Sequence, residues 1–207
     1  MDAEPTDGRD LHALAARIQD VCLAHGWTVA TAESCTGGLV ADTLTDVPGS
    51  SGYVLGGMVA YADRIKAALL GVDPELIAAR GAVSAHVAKA MALGARERFG
   101  TTFGLAVTGI AGPGGGSATK PVGLTFIAVA TPARVDIRRH TWTGDRIANK
   151  QASAGAVLAL LLRIAERQAA RIGASAEWAS TEEATVEGPS IEEAAPGERT
   201  ATSVTPR

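Results

Sequence analysis

Basic charge, aromatic side chains and clustered metal ligands are all scarce in this chain, and each shortage removes a class of function. Lys and Arg number 19 against 22 Asp and Glu, a net charge of −3, so no basic footprint marks a nucleic-acid surface. Aromatics make up only 4% of the residues, too few for a stacking platform on single strands. No nucleic-acid partner is expected. His12, His25, His86 and His140 are scattered, with no His-x-x-x-His and no Cys-x-x-Cys, so the usual metal-ligand spacings are missing. Two cysteines, Cys22 and Cys35, do not make a disulfide framework. No apolar run approaches a membrane span, since even TFIAVA is strand-sized. The start, MDAEPTDGRDLHAL, is polar and acidic where a signal peptide would be basic and then apolar. The expectation is a reduced, cytoplasmic protein with no membrane partner, no metal and no cofactor.

What is present suits a core. Apolar residues form 46% and charged residues 20% of 207, ordinary values for one globular domain. Residues 10–25 carry Leu11, Leu14, Ala15, Ile18, Val21 and Cys22 at helical spacing, and Gly26 is a natural stop. WTVATAES reads as a strand, TGGLVADTLTDV as a helix, and residues 53–61 as a largely buried strand. DRIKAALLGV is a short helix closed by Gly71; PELIAAR opens another at Pro74, and Ser84 is the expected N-cap of AHVAKAMALGARERF. FGLAVTGIAG, VGLTFIAVAT and VDIRRHTW then follow as strands at hairpin-like spacing, before a long helix over 145–171. This interleaving predicts an α/β fold, a three-layer α/β/α sandwich on a mixed, mostly parallel sheet. Residues 1–9 are expected to be a flexible N-terminus and 10–173 the domain. Residues 174–207, with seven Glu against two Arg, are expected to be a disordered acidic tail, in which only Trp178 could dock.

Four segments could carry chemistry. Thr31-Ala-Glu-Ser-Cys-Thr-Gly-Gly38 spans a strand-to-helix junction, where a hydroxyl can face helix-start N–H groups. Ser34 or Thr36 there could equally be a plain helix cap. The Gly-x-Ser-x-Gly elbow does not fit, because Ala32 and Thr36 take the glycine positions. Tyr61-Ala-Asp-Arg-Ile-Lys66 offers a lysine that could act as a base if held neutral, or could be a solvated helix residue. Thr108-Gly-Ile-Ala-Gly-Pro-Gly-Gly-Gly-Ser-Ala-Thr-Lys120 lets backbone approach a ligand; it is no Walker A loop, because Pro121 follows the lysine. Gly144-Asp-Arg-Ile-Ala-Asn-Lys150 opens the last helix, with Asp145 suited to its positive end and Arg146 able to reach an anion. Cys35 is a rival nucleophile to Ser34, with no His in a motif to activate it.

These segments, in this order, resemble the C-terminal domain of the competence/damage-inducible protein A family, whose stand-alone members are nicotinamide-nucleotide amidohydrolases. AESCTGG, VPGSSGYVLGGMVAYADRIKAALLGV, GAVSAHVAKAMALGAR, AVTGIAGPGGGSATKPVG and TGDRIANK carry the resemblance, over about residues 10–170. The molybdenum-cofactor-like domain of longer members has no counterpart, so the chain resembles the amidase half alone. The resemblance places the nucleophile at Ser34, the base at Lys66 and a supporting hydroxyl at Tyr61. It implies a small pyridine-nucleotide substrate, nicotinamide mononucleotide, in pyridine nucleotide salvage. Substrate contacts are expected from Glu33, Cys35, Thr36, Gly37, Thr108, Gly109, Gly112, Gly114, Gly115, Gly116 and Arg146. The oxyanion would be held by helix-start N–H groups near Cys35 and Thr36. Asp63 stands where Asn is usual, Ala118 and Thr119 replace a common Pro-Glu, and Lys150 replaces an Arg. A homo-oligomer is expected. The alternative is a non-catalytic nucleotide-binding or regulatory module of the same fold.

Overall fold

The computed structural model describes residues 8–185. The chain separates after Ala170 into two units; the first carries the sheet, and the described part of the second is the end of the last helix. Residues 1–7, residues 186–207 and the side chain of Trp178 lie outside what is described, and so do the expectations that fall on them.

The first unit opens with helix α1 (Gly8–His25), which buries Leu11, Ala15, Ile18 and Cys22 along one face and stops at Gly26, φ 64°. Strand β1 (Val29–Glu33) follows, then helix α2 (Leu39–Thr45), a 3-10 turn at Ser50–Gly52 and strand β2 (Val54–Val59). Helices α3 (Asp63–Leu70), α4 (Pro74–Arg80) and α5 (Ala85–Phe99) precede strand β3 (Phe103–Gly109). Strands β4 (Leu124–Ala130) and β5 (Val135–Thr141) lead into the long helix α6 (Arg146–Thr185). The caps behave as their chemistry dictates: Ser84 Oγ accepts from the Val87 N–H at 3.3 Å, and Gly71 closes α3 at φ 67°.

The strand order is β2-β1-β3-β4-β5. β2, β1 and β3 run parallel, and β4 is antiparallel to both of its neighbours, so four strands share a direction. One face presents Val29, Phe103, Leu105, Val107, Ile127 and Val129 to α1, α2 and α6. The other presents Ala30, Ala32, Ala106, Ala128 and Ala130 to α3, α4 and α5. This is the expected α/β/α sandwich, and the small residues explain its asymmetry. A Cβ on Gly104 would strike the Ala92 carbonyl and the Arg96 side chain, so α5 lies almost directly on β3.

Three elements differ from the sequence reading. α2 begins only at Leu39, because Gly37 (φ 66°) and Gly38 (φ 103°) form a turn in conformations a helix does not use. β2 is half-exposed, not largely buried, since it forms one edge of the sheet and its residues alternate between partly buried and exposed. α6 continues to Thr185, past the expected domain end.

Candidate active site

From β1 the chain crosses by way of α2 to β2 on one side. From β2 it returns through α3, α4 and α5, on the opposite face, to β3 on the other side. The crevice beyond the carboxyl ends of β1 and β3 is thus a topological switch point, where open α/β sheets bind ligands. The residue immediately after β1 is Ser34, whose N–H donates to the Val107 carbonyl of β3 at 2.9 Å. β3 ends in Thr108 and Gly109, so the first and third segments meet there because the strands are neighbours.

A cavity of about 270 Å³ occupies this crevice, lined by Ser34, Cys35, Tyr61, Lys66, Thr108, Gly109, Gly112, Gly114, Gly115 and Arg146 among others. Lys66 is only 1% exposed, which removes the solvated-helix reading. Its Nζ donates to the Tyr61 carbonyl and to Asp63 Oδ1, both at 3.2 Å; two N–H donors are all that an amine has, so these contacts leave its lone pair for a proton. Ser34 is buried to 8% exposure. Thr108 Oγ1 donates to the Ala82 carbonyl at 2.9 Å, tying β3 to the loop before α5.

Tyr61 is arranged differently from a hydroxyl that supports Lys66. The residue is 59% exposed, its carbonyl faces the lysine, and its hydroxyl accepts from Arg146 Nη2 at 3.1 Å. Arg146 Nη1 donates to the Gly112 carbonyl at 2.8 Å, so one guanidinium joins the glycine loop to the end of β2. Lys120 turns away, donating to the Arg80 carbonyl at 2.7 Å.

Glu33, Thr36, Gly37 and Gly116, also expected to contact a ligand, are not among the cavity-lining residues. The Glu33 carboxylate accepts from the N–H groups of Gly38, Val40 and Ala41 at 2.9, 3.1 and 2.8 Å. Thr36 is fully buried, Gly37 makes the turn, and a side chain on Gly116 would press on Val122. The helix start expected to hold an oxyanion is therefore already occupied by a carboxylate. In the turn before it, the N–H groups of Cys35 and Thr36 meet no backbone carbonyl among the described residues.

The Cys35 thiol is pushed up to about 12, chiefly by burial. Its own backbone hydrogen bond and the charges of Lys150 and Lys66 pull the other way, and Glu33 adds to the rise. At neutral pH it is a thiol, not a thiolate. Both cysteines are free and buried.

Two neighbours escaped the sequence reading as site residues. Asp63 lines the cavity and pairs with Lys66; its i, i+3 spacing was the available signal. Asn149, 2% exposed, donates to the Ala111 carbonyl at 3.1 Å and pins the glycine loop to α6. No local pattern announces that contact. Among the described residues no group of three or more His, Cys, Asp or Glu could hold a metal ion, and no helix is long and apolar enough to cross a membrane.

The chain has extensive relatives. A family model described as the CinA C-terminal domain matches residues 11–165. A CinA-like protein of Mycolicibacterium paratuberculosis is 50% identical over 163 residues, covering 76% of this chain and 36% of the relative. One from Acidobacterium capsulatum is 57% identical over 121 residues, 58% of this chain and 29% of the relative. The chain thus spans well under half the length of these curated relatives. The crystal structure of a competence/damage inducible protein from Agrobacterium tumefaciens superposes with a TM-score of 0.74 at 41% identity, over 79% of this chain and 98% of that one. With its mixed sheet, its switch-point cavity and these matches, the chain belongs to the CinA C-terminal domain family.

Proposed function

We propose that this domain is an amidohydrolase that converts nicotinamide mononucleotide to nicotinic acid mononucleotide and ammonia, a step of pyridine nucleotide salvage. The observation that carries the reading is the meeting of Ser34, a buried Lys66 and the glycine loop in one cavity at the switch point. A hydroxyl and a buried amine that line one cavity are a workable nucleophile–base pair without His or metal. The elevated Cys35 thiol leaves Ser34 as the better nucleophile of the two adjacent candidates.

Ser34 Oγ forms a bond to the carboxamide carbon while its proton passes to the neutral amine of Lys66. The oxyanion is met by the backbone of the turn at Cys35, the residue of that turn that lines the cavity beside Ser34. As the carbon–nitrogen bond breaks, the lysine returns the proton and ammonia departs from an acyl-serine. Water then attacks the ester, losing a proton to Lys66; as the ester C–O bond breaks, Lys66 passes that proton to Ser34 Oγ and nicotinic acid mononucleotide leaves. Arg146 and the backbone of Gly114 and Gly115 receive the phosphate at the mouth.

The test is ammonia release from nicotinamide mononucleotide, with Ser34→Ala and Lys66→Met as controls. Turnover by the native protein and a loss of at least about a hundredfold in each variant are expected, in the range general-base and nucleophile removal produce. No turnover by a folded native protein, with the nucleotide still bound, would favour the non-catalytic binding module.

A further inference from the structure

Glu33 is the last residue of β1 and directly precedes Ser34, yet it is 1% exposed and does not line the cavity. A buried carboxylate requires several donors, and Glu33 has them. Oε2 accepts from Gly38 and Val40, and Oε1 accepts from Ala41 and, at 3.5 Å, from the Thr31 hydroxyl. Gly38, the N-cap of α2, has no side chain with which to cap the helix. The carboxylate from five residues upstream takes over that task, neutralising the positive end of α2. Residues 34–38 are thereby pulled into a closed turn between the end of β1 and the start of α2, with Gly37 and Gly38 supplying the left-handed geometry.

The consequence reaches the cavity. The turn is anchored on one side by the Ser34 N–H on Val107, and on the other by Glu33 on the helix start. Between these anchors lie the Ser34 side chain and the N–H groups of Cys35 and Thr36, which have no backbone acceptor among the described residues. We infer that Glu33 is a positioning residue for the nucleophile turn, setting Ser34 Oγ and the turn backbone at Cys35 in the geometry an oxyanion needs, and does not itself contact substrate. This rests on the amidohydrolase reading above.

Glu33→Gln tests it, because the amide keeps the shape but offers N–H donors toward a helix start that has only donors to meet. In Glu33→Gln the expected fall in kcat is about a hundredfold, the scale of a lost oxyanion donor, with KM within about threefold, since uniform binding is untouched. Amide hydrogen exchange, read by mass spectrometry, should accelerate at residues 35–41 and stay unchanged in β3 and β4. A merely structural cap would lower the thermal midpoint without the kcat-only split. Should Glu33→Gln fail to fold, Glu33→Asp keeps the charge but shortens the reach, and the same split is expected with a smaller loss. Native kcat in either folded variant overturns the inference. If the native protein releases no ammonia, the substrate reading fails, and the exchange data judge the turn alone. Unchanged exchange at 35–41 then overturns it.

Discussion

Arg146 and Tyr61, 85 residues apart, meet at 3.1 Å across the mouth of the cavity, and the same guanidinium holds the Gly112 carbonyl at 2.8 Å. An arginine in this place is both a strut for the glycine loop and the first cation that a phosphate would meet. Arg146→Met should therefore raise KM for nicotinamide mononucleotide about tenfold or more, the loss of one charge-assisted contact, and change kcat little. Nicotinamide riboside, which lacks the phosphate, separates the two roles. If its KM rises equally, Arg146 shapes the loop and does not read the anion.

The position of Cys35 beside Ser34 yields a second prediction. With its thiol at about 12, the thiolate fraction at pH 8 is about one in ten thousand. Iodoacetamide should not label Cys35 in the folded protein at that pH, and its labelling rate should not rise through the ordinary thiol range near pH 8.5. Cys35→Ala should retain most activity. Rapid labelling with matched loss of turnover would transfer the nucleophile from Ser34 to Cys35.

Gly94 sets helix propensity against packing. It lies in the interior of α5, where Ala normally stabilises by about 1 kcal/mol. Yet a Cβ there would fall on the Leu70 carbonyl at the end of α3. Gly94→Ala should lower stability by about 1–3 kcal/mol, the usual cost of overpacking, seen as a lowered midpoint in urea. A raised midpoint would mean that α3 can withdraw freely from α5.

His140 makes stability depend on mild acid. Its Nε2 is buried without a hydrogen-bond partner among the described residues, its ring stacks on Trp142 at 4.7 Å, and burial, helped by Arg138, holds its pKa below the ordinary histidine value. The folded protein then binds fewer protons than the unfolded chain, so its contribution is complete above about pH 6.5 and is lost as the pH falls below it. Thermal midpoints taken between about pH 7 and pH 5 should decline in the native protein and decline less in His140→Phe. Parallel curves would assign the acid sensitivity to other groups.

The sequence by itself determined the elements and the chemistry-bearing stretches, because both are local. Helical spacing buries Leu11, Ala15, Ile18 and Cys22, a β-branched run forms β1, and glycines end α1 and α3. Ser34, Lys66 and the glycine loop could be named because strand ends and glycine turns are written in consecutive residues. Only the tertiary structure decided where side chains at those junctions turn. Glu33 faces the start of α2 because Gly37 and Gly38 fold the chain back over it, and strand alternation places its side chain on the same side as Thr31. Tyr61 gives its carbonyl to Lys66 and its hydroxyl to Arg146 because α6 returns to the end of β2, a contact no short pattern encodes. The burial of Lys66 was decided in the same way, by the packing of α3 against the sheet and α5. A lysine four residues into a short helix looks the same in sequence whether it meets water or a cavity. The surrounding layers determine which it is.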